Sequence, residues 1–473
     1  MTADGRIGSS FRDPSGFLFT ANGVLLRQVQ ERYRPHYQHL RASGLYDALV
    51  RDGLLVAHEE RPLSEAAQAG AAFVLRPERI PFISLPYEWS FGQRRAAALL
   101  TLRIQRLALS HGMTLKDASA FNVQFRGGKP VLIDTLSFER REPGAPWIAY
   151  RQFCQHFLAP LALQAMVDVR LGLLLRQYVD GIPLDLASRL LPGRTKFSMW
   201  AQFHIHLHAK SIARHSATKG RTAAGSAGGA AAGATSKSPS VSDRGIEGLV
   251  LNLEGAVQGL SWSPPGTEWG AYEENLGYAN ADREAKHAVV GDFVKSSGAK
   301  SVLDLGANAG EYSRVARGAG ASLVVAADGD PVAVERHFRR LEQQDDPGIV
   351  PVWVDLTNPS PSQGWDHAEW PSLAGRGPFD AVMALALVHH LAIGNNVPLP
   401  GVAAMLARLG RQVIVEWVPK TDPQVQRLLS AREDIFGQYA EADFRQAFAG
   451  LGLRALATRP VGNSGRVLYR FGA

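Results

Sequence analysis

The chain has 473 residues, of which 45% are apolar and 20% are charged, and its formal net charge is +7. A chain of this length can bury more than one core, and its single cysteine, Cys154, has no partner for an intrachain disulfide. These values exclude a small disulfide-stapled module and a cysteine-rich zinc cluster.

The distribution of apolar and charged residues favours a cytoplasmic protein. No stretch reaches the roughly 18 uninterrupted apolar residues of a membrane span, and the start of the chain is polar. Residues 1–208 hold 25 Lys/Arg and 17 Asp/Glu, residues 209–244 hold 6 and 1, and residues 245–473 hold 20 and 26. The basic side chains of the front part are scattered without interleaved aromatic residues, which does not favour a nucleic-acid partner.

The first elements indicate an α+β domain over residues 1–208. Two apolar runs, GFLFT and VLLRQV, flank the turn pair Asn22-Gly23, a pattern that predicts a β-hairpin. A long helical pattern follows over residues 94–110.

A second predicted hairpin, NVQF-RGGK-PVLID, lies between chemically distinctive residues. Asp117 precedes this hairpin, Asn122 is its first residue and Asp134 is its last residue. Phosphoryl transfer requires a carboxylate near the hydroxyl nucleophile, together with an amide and a second carboxylate that hold Mg²⁺ on the triphosphate.

This segment resembles the catalytic segment of the protein-kinase-like superfamily, in particular the small-molecule phosphotransferases related to aminoglycoside phosphotransferases. The resemblance implies that Asp117 is a catalytic base, that Asn122 and Asp134 are metal ligands, and that ATP and Mg²⁺ bind here. The sequence departs from the family at Lys116, at Thr135-Leu136 and in lacking a G-x-G-x-x-G loop, and Arg27 is only a weak substitute for the phosphate-contacting lysine. The alternative is a structural role, in which Asp117 caps a turn and Asn122 braces a loop.

Two other features of the front part are interpreted as structural. The histidines of HIHLH, at positions 204, 206 and 208, would share one face on a strand but diverge on a helix, and we interpret them as packed or solvated. Cys154 has no evident base nearby and is expected to be a small core residue.

A Gly/Ala/Ser-rich run divides the chain. Residues 209–247 include TAAGSAGGAAAGATSKSPSVSD, which has no apolar period to bury and predicts a flexible linker. We therefore place a second domain at residues 248–473.

The second domain alternates short apolar runs with helical patterns, which predicts a doubly wound α/β fold. The last two runs, around the turn GNSG, predict a terminal hairpin that closes the sheet edge. The apolar runs are SVLDL (301–305), LVVAAD (323–328), IVPVWVDL (349–356), FDAVMALAL (379–387), QVIVEWV (412–418), LRALATRPV (453–461) and RVLYRF (466–471).

The first of these runs leads into a glycine-rich turn, Asp304-Leu-Gly306-Ala-Asn308-Ala-Gly310, followed by a helical pattern. Such strand-to-helix turns bind nucleotides in doubly wound sheets. Asn308 and Glu311 break the dinucleotide fingerprint, and carboxylates would repel a pyrophosphate but tolerate a sulfonium. The turn therefore suits S-adenosylmethionine (SAM).

Further acids end the next two strands. Asp328 is placed to accept hydrogen bonds from ribose hydroxyls, and Asp355 from an adenine amino group.

At these motifs the second domain resembles the class I SAM-dependent methyltransferases, over roughly residues 262–473. The resemblance implies a Rossmann-like seven-stranded sheet, transfer of a methyl group, and S-adenosylhomocysteine as product. It assigns the cofactor to Asp304, Gly306, Asn308, Gly310, Asp328, Asp355, Leu356 and Ala384.

The residues after the fourth strand are the candidates for catalysis. His389 and His390 lie where an acceptor would approach the methyl group, and a neutral imidazole there can accept a proton from a hydroxyl. A structural role for either histidine is the alternative. Glu416 is a candidate for orienting the acceptor, and a group of aromatic residues is a candidate lid over the cofactor: Trp269, Tyr272 and Tyr278.

Together these features predict a methyltransferase whose kinase-like front domain presents a small-molecule or glycan acceptor with a hydroxyl, amine or phosphate group. One alternative is a bifunctional kinase and methyltransferase that modifies a saccharide, and another is a non-catalytic scaffold that senses nucleotides. The whole arrangement faintly resembles bacterial nodulation-associated and surface-glycan-modifying proteins that carry a methyltransferase, which does not define a substrate.

Overall fold

The computed structural model describes residues 5–207, 240–264, 280–344, 346–430 and 432–473. The part before residue 208 mixes antiparallel strands with helices, and the part after residue 280 alternates strands and helices around one large sheet. We call these parts the front half and the back half. Among the described residues, no helix combines the length and apolarity that crossing a bilayer requires.

The front half begins with an antiparallel five-stranded sheet in the order β1-β2-β3-β5-β4. The predicted hairpin is confirmed, because β2 pairs with β3 around Asn22 and Gly23, both of which have positive φ. Two further strand pairs are β6 with β9 and β7 with β8, and the latter is the second predicted hairpin. The strands are β1 Gly5–Arg6, β2 Gly16–Ala21, β3 Val24–Gln30, β4 His58–Arg61, β5 Ala71–Pro77, β6 Met113–Leu115, β7 Val123–Arg126, β8 Lys129–Leu132 and β9 Phe138–Arg140.

Helix α3 carries many of the buried side chains of the largest core. Helix α3 begins at a capping box, in which the Ser90 hydroxyl accepts from the Gln93 amide. The α-helices are α1 Arg34–Ala42, α2 Leu45–Arg51, α3 Phe91–Ser110, α4 Tyr150–Phe153, α5 Ala159–Met166, α6 Leu174–Gln177, α7 Leu184–Leu190 and α8 Met199–Ala201, and π-helical turns follow α4 at Cys154–Leu158 and α8 at Gln202–His206.

The two features interpreted as structural are buried in this core. Cys154 has no exposed surface, and burial raises the pKa of its thiol to about 12. His204 bonds Tyr150 and Asn252, each at 2.7 Å, and His206 bonds Ser188 and Thr195. The packed interpretation is confirmed for these two histidines, whereas His208 lies outside the described residues.

Helix α9 (Asp243–Gly259) packs on the front half, although its sequence follows the predicted linker. Its buried side chains, which include Ile246, Val250 and Leu253, belong to the same core as α3. Residues 243–247 of the predicted linker therefore form the first turn of a packed helix. The division of the chain into domains remains a prediction.

The back half is a seven-stranded sheet in the order β12-β11-β10-β13-β14-β16-β15. The predicted doubly wound sheet and its closing hairpin are confirmed: β10 to β14 are parallel, and β16 pairs antiparallel with both β14 and β15. The strands are β10 Ser301–Leu305, β11 Leu323–Asp328, β12 Ile349–Trp353, β13 Phe379–Ala384, β14 Gly410–Trp417, β15 Arg454–Pro460 and β16 Val467–Gly472. The helices are α10 Asn280–Ser297, α11 Glu311–Gly318, α12 Pro331–Gln344, α13 Leu399–Leu409, α14 Pro423–Ser430 and α15 Glu441–Ala449, with a π-helical turn at His390–Gly394.

The two halves meet along the β12 edge of this sheet. Arg376 donates to Glu88 at 2.8 Å, and the two side chains are 5% and 0% exposed. Gln93 donates to the carbonyl of Pro351 in β12, and Phe338 of α12 joins the front-half core. The front half therefore covers an edge strand that would otherwise present unpaired backbone groups.

Candidate functional site

The glycine-rich turn leaves β10 at the place where the sheet reverses its winding. Strand β11 lies on one side of β10 and β13 on the other, so a crevice opens outside their carboxyl ends. Gly306, Asn308 and Gly310 have φ values of 71°, 48° and 81°. A Cβ at Gly310 would lie 2.1 Å from Nε2 of His337, so only glycine fits there.

Asn308 fills the position where the resemblance expects a glycine. Asparagine tolerates the left-handed conformation, and its side-chain oxygen here accepts from the Ala309 amide at 2.7 Å. The backbone N–H of Asn308 donates to Oδ2 of Asp328 at 2.8 Å. The asparagine therefore preserves the turn, and the backbone of residue 308 links the turn to the end of β11.

Asp328 faces the crevice between the turn and α12. Its Oδ1 accepts from the Asp330 amide at 2.8 Å, and the Gly329 amide adds a third backbone hydrogen bond to the carboxylate. Burial raises the pKa of Asp328 to about 6, while these amides oppose the shift. A carboxylate has about four lone-pair sites, so one remains to accept a hydrogen bond from a ligand.

Asp355 lies beyond β12, on the next wall of the crevice. This exposed carboxylate accepts from the backbone amide of Thr357 at 2.8 Å and from its hydroxyl at 2.7 Å. The hydrogen bonds fix the turn Asp355–Leu356–Thr357 as part of the crevice wall.

The crevice has a volume of about 620 Å³ and contains most of the predicted cofactor residues. Its polar wall includes three carboxylates from the ends of β11 and β12, and the opposite wall is largely apolar. The lining residues are Gly306, Asn308, Asp328, Gly329, Asp330, Pro331, Val354, Asp355, Leu356, Thr357, Leu385, Ala386, Leu387, His390, Leu391, Gly394, Asn395 and Leu428.

Three predicted cofactor residues do not line this crevice. Ala384 is fully buried between β10 and β14, and Gly310 begins α11 behind the turn. Asp304 is 1% exposed and accepts from the Ser313 hydroxyl at 2.6 Å. Burial raises the pKa of Asp304 to about 7. Asp304 and Ala384 lie within buried strands, so their side chains face neighbouring layers of the core and not the crevice.

The two adjacent histidines occupy different environments. His390 lines the crevice, whereas His389 has no exposed surface and neither of its ring nitrogens has a hydrogen-bond partner among the described residues. Burial lowers the pKa of His390 to about 4 and that of His389 to about 2, and the positive charge of Arg466 adds to both shifts. Both imidazoles are therefore neutral near pH 7. The crevice reaches one predicted catalytic histidine and not the other.

Sequence reasoning overlooked a buried charged cluster behind the histidines. Lys286 of α10 donates to Glu416 at 2.6 Å, and Arg466 donates to Asp422 at 2.7 Å. Glu416 therefore lies in the interior rather than at an acceptor site. Nothing in the sequence around Lys286 distinguishes it from an exposed helical lysine. The predicted lid residues Trp269, Tyr272 and Tyr278 lie outside the described residues.

Ala386 is a second residue that the sequence analysis missed. It lines the crevice just after β13 with a φ of 51°, which is unfavourable for a residue with a Cβ. Strain of this kind concentrates at functional sites. Only the backbone geometry reveals it, since alanine is common in such strands.

In the front half, the structure brings the predicted kinase-like residues together. Asp117 and Asn122 are hydrogen-bonded, and Asn122 also donates to Ser137 at 3.3 Å. Burial, and then the nearby Asp134, raise the pKa of Asp117. Both Asp117 and Ser119 cap turns in this loop, as the structural interpretation expects.

The carboxylate of Asp134, the predicted metal ligand, already bonds other groups of the protein. Arg27 of β3 forms an ion pair with its Oδ1, which also accepts from the Leu136 amide, and the Ser137 hydroxyl donates to Oδ2 at 2.6 Å. Although burial opposes it, Arg27 holds the pKa of Asp134 below its ordinary value. A guanidinium in this position repels a divalent cation, so the arrangement does not fit Mg²⁺.

A comparison with known proteins found a relative whose sequence matches almost the whole chain. The chain is 35% identical over 471 residues, which are 99% of its length and 96% of the other protein, to the nodulation protein NoeA of Rhizobium meliloti (strain 1021). No protein-family profile matches the chain.

Solved structures resemble parts of the chain. Magnesium protoporphyrin IX methyltransferase from Synechocystis PCC 6803 with bound S-adenosylhomocysteine is 18% identical, with a TM-score of 0.31, over 42% of this chain and 91% of that chain. The bifunctional kinase-methyltransferase WbdD is 19% identical, with a TM-score of 0.29, over 44% and 43%. The N-methyltransferase NodS from Bradyrhizobium japonicum WM9 is 15% identical, with a TM-score of 0.30, over 41% and 96%.

Proposed function

This chain belongs to the same family as the nodulation protein NoeA, and we propose that its back half is a SAM-dependent methyltransferase. The observation that carries the proposal is the crevice at the carboxyl ends of β10, β11 and β12, where the glycine-rich turn meets Asp328 and Asp355. Its position at the reversal of strand order is where doubly wound sheets bind nucleotides.

The residues of the crevice fit the cofactor. Its volume of about 620 Å³ is adequate for a nucleoside-sized ligand, and its three carboxylates complement a positive charge. The remaining acceptor site of Asp328 suits a ribose hydroxyl, and the exposed carboxylate of Asp355 suits an adenine amino group. When bound, the cofactor supplies a methyl group on an activated sulfonium centre.

His390 is proposed to receive the proton of the acceptor. Its imidazole lines the apolar wall of the crevice and is neutral near pH 7, because its pKa is lowered to about 4. A ring nitrogen of His390 would accept the proton that the acceptor hydroxyl or amine loses, and the methyl group would come from the sulfonium, whose carbon–sulfur bond breaks to leave S-adenosylhomocysteine. His389, which lies outside the crevice, is proposed to position His390 by ring contact at 4.1 Å.

Binding tests the cofactor assignment. Titration calorimetry of the full-length protein is expected to detect SAM binding, and Asp328→Ala to weaken it at least about tenfold, the value of one or two charge-assisted hydrogen bonds. The control is Asp292→Ala, which removes an exposed carboxylate from α10. Absence of heat with the wild-type protein, or equal affinities for both variants, would refute the proposal.

The acceptor is proposed to be a small molecule or a glycan with a hydroxyl, amine or phosphate group. Incubation of fractionated metabolites and glycans with the protein and labelled SAM is expected to produce a species heavier by one methylene group. His390→Gln is expected to abolish this product while SAM affinity is retained, and His367→Gln is the control on an exposed loop. SAM binding without release of S-adenosylhomocysteine for any fraction would instead favour the scaffold alternative.

The front half is proposed to support the crevice rather than to transfer phosphate. Arg176 donates to the carbonyl of Asn358 at 3.3 Å and to its side chain at 3.2 Å, immediately beyond the crevice wall formed by residues 355–357. Because Arg27 engages Asp134, we expect no ATP turnover with Mg²⁺. Turnover that disappears in Asp134→Ala would favour the bifunctional alternative.

A further inference from the structure

The end of the front half exposes several large apolar side chains together. Phe197, Met199, Phe203 and Leu207 are 93%, 73%, 57% and 45% exposed. Met199, Phe203 and Leu207 follow one another at intervals of four residues, which places them on one side of a helical segment. We call these four residues the 197–207 patch.

The segment that carries this patch is held in one orientation by its buried side chains. The opposite side of the same segment buries His204, Ile205 and His206. His204 bonds Tyr150 and Asn252, and His206 bonds Ser188 and Thr195, which fixes the rotation of the segment. The apolar side chains are therefore held outward by the core. Contiguous exposed apolar surface of this kind indicates an interaction site.

The charged residues next to the patch in the sequence are basic. Arg194 and Lys196 precede it, are exposed, and have no ion pair among the described residues. In the sequence, no acidic residue occurs between Asp185 and Asp243, whereas this interval contains eight lysines and arginines. A surface that binds here therefore meets exposed apolar side chains beside the exposed cations Arg194 and Lys196.

We propose that the 197–207 patch binds the surface of an anionic phospholipid bilayer. Aromatic, Met and Leu side chains insert at the boundary between headgroups and acyl chains, while neighbouring Lys and Arg side chains attract the lipid phosphates. The partly buried Trp200, within the same segment, is a residue type favoured at this boundary. A bilayer is favoured over a protein partner because its uniform negative charge matches the two exposed cations beside the patch, neither of which has an acidic partner among the described residues.

Vesicle flotation with the full-length protein tests this proposal. We expect binding to vesicles that contain phosphatidylglycerol, little binding to vesicles of phosphatidylcholine alone, and weaker binding at high salt. The double variant Phe197→Ser with Phe203→Ser is expected to lower the partition coefficient at least about tenfold, because it removes two large inserting side chains. The matched control is Ile435→Ser, which replaces an equally exposed apolar residue of the back half.

A second pair of variants tests the charge. Arg194→Gln with Lys196→Gln is expected to weaken binding about fivefold for each charge removed, whereas Arg454→Gln, at an exposed position of β15, is expected to change nothing. Unchanged thermal unfolding shows that the variants are folded, since all these side chains are exposed.

Three results would overturn the proposal. They are equal binding to neutral and anionic vesicles, unchanged binding of the Phe197 and Phe203 double variant, and self-association in lipid-free solution that this double variant abolishes. The last result would assign the patch to a second copy of the chain.

Discussion

The shape of the glycine-rich turn depends on a single residue, Gly310. It combines a φ of 81° with a position where a Cβ would lie 2.1 Å from the buried His337 ring. The backbone conformation disfavours any L-residue, and the ring, packed in the core, cannot withdraw without disturbing its neighbours. Glycine is therefore required at this position for two reasons, the left-handed backbone of the turn and the close approach of the His337 ring.

Gly310→Ala is expected to destabilise the protein and to weaken SAM binding, and both effects can be compared with Gly320→Ala. Gly320 also has a positive φ, 107°, but its Cβ would enter open space. We expect Gly320→Ala to cost about 1–2 kcal/mol of unfolding free energy from the backbone alone. Gly310→Ala adds about 1–3 kcal/mol for overpacking. Thermal unfolding and calorimetry measure both, and equal effects of the two substitutions would contradict this account.

The buried carboxyl group of Asp304 leads to a prediction about how the free energy of unfolding depends on pH. This carboxyl ionises near pH 3.8 in the unfolded chain, and burial raises its pKa to about 7 in the folded protein. The folded state therefore binds the proton more tightly, so this residue's contribution to stability is full below about pH 4 and is lost as the pH rises to about 7. The loss is at most about 1.4 kcal/mol per pH unit. Asp304→Asn is expected to have an unfolding free energy less dependent on pH over this range, measured by urea titration; an unchanged slope would contradict it.

At the scale of elements, the loop after β12 is held by both halves. Asp355 fixes its first turn internally, and Arg176 of α6 in the front half holds Asn358. A loop that is anchored before a ligand arrives loses less conformational entropy on binding. The front half therefore contributes to the crevice without lining it.

Arg176→Ala is expected to weaken SAM binding a fewfold, about 1 kcal/mol for the hydrogen bonds lost, with little change in thermal stability because the contacts are exposed. Arg170→Ala provides the control, since Arg170 pairs with Asp168 of its own turn. Calorimetric titration of the two variants measures the difference. Equal affinities would mean that the front half does not support this wall.

At the scale of the molecule, buried polar contacts join the halves. Glu88 accepts from Arg376, from the Ser360 hydroxyl and from the Leu85 amide, so a single front-half carboxylate bonds two segments of the back half. Phe121 stacks on Trp370 with the ring centres 4.4 Å apart. An interface of this chemistry resembles a core more than a contact between independently moving domains.

The two halves are therefore expected to unfold together. Removing one partner of a buried ion pair costs about 3–5 kcal/mol, so Arg376→Met should lower the unfolding temperature strongly. Arg411→Met, at an exposed arginine, is the control. Scanning calorimetry is expected to show one transition for the full chain, and a fragment of residues 280–473 is expected not to fold alone. Two separate transitions, or a folded fragment that binds SAM, would contradict this expectation.

The sequence by itself determined the strands of the back-half sheet and its closing hairpin. Strands β10 and β11 begin and end as predicted, because strands buried on both faces leave continuous apolar runs. The Asn22-Gly23 hairpin was equally predictable, since a turn of this type depends on adjacent residues. Gly306, Asn308, Asp328 and Asp355 were identified for the same reason, as each lies at the end of a strand and faces the crevice.

Only the tertiary structure decided which groups meet across long separations in the chain. The pairing of Arg27 with Asp134, the burial of His389 and Glu416, and the packing of α9 on the front half all depend on distances between segments remote in sequence. A residue's local pattern records its own conformation and average burial, whereas the partner of a charge and the depth of a side chain are set by the packing of whole elements.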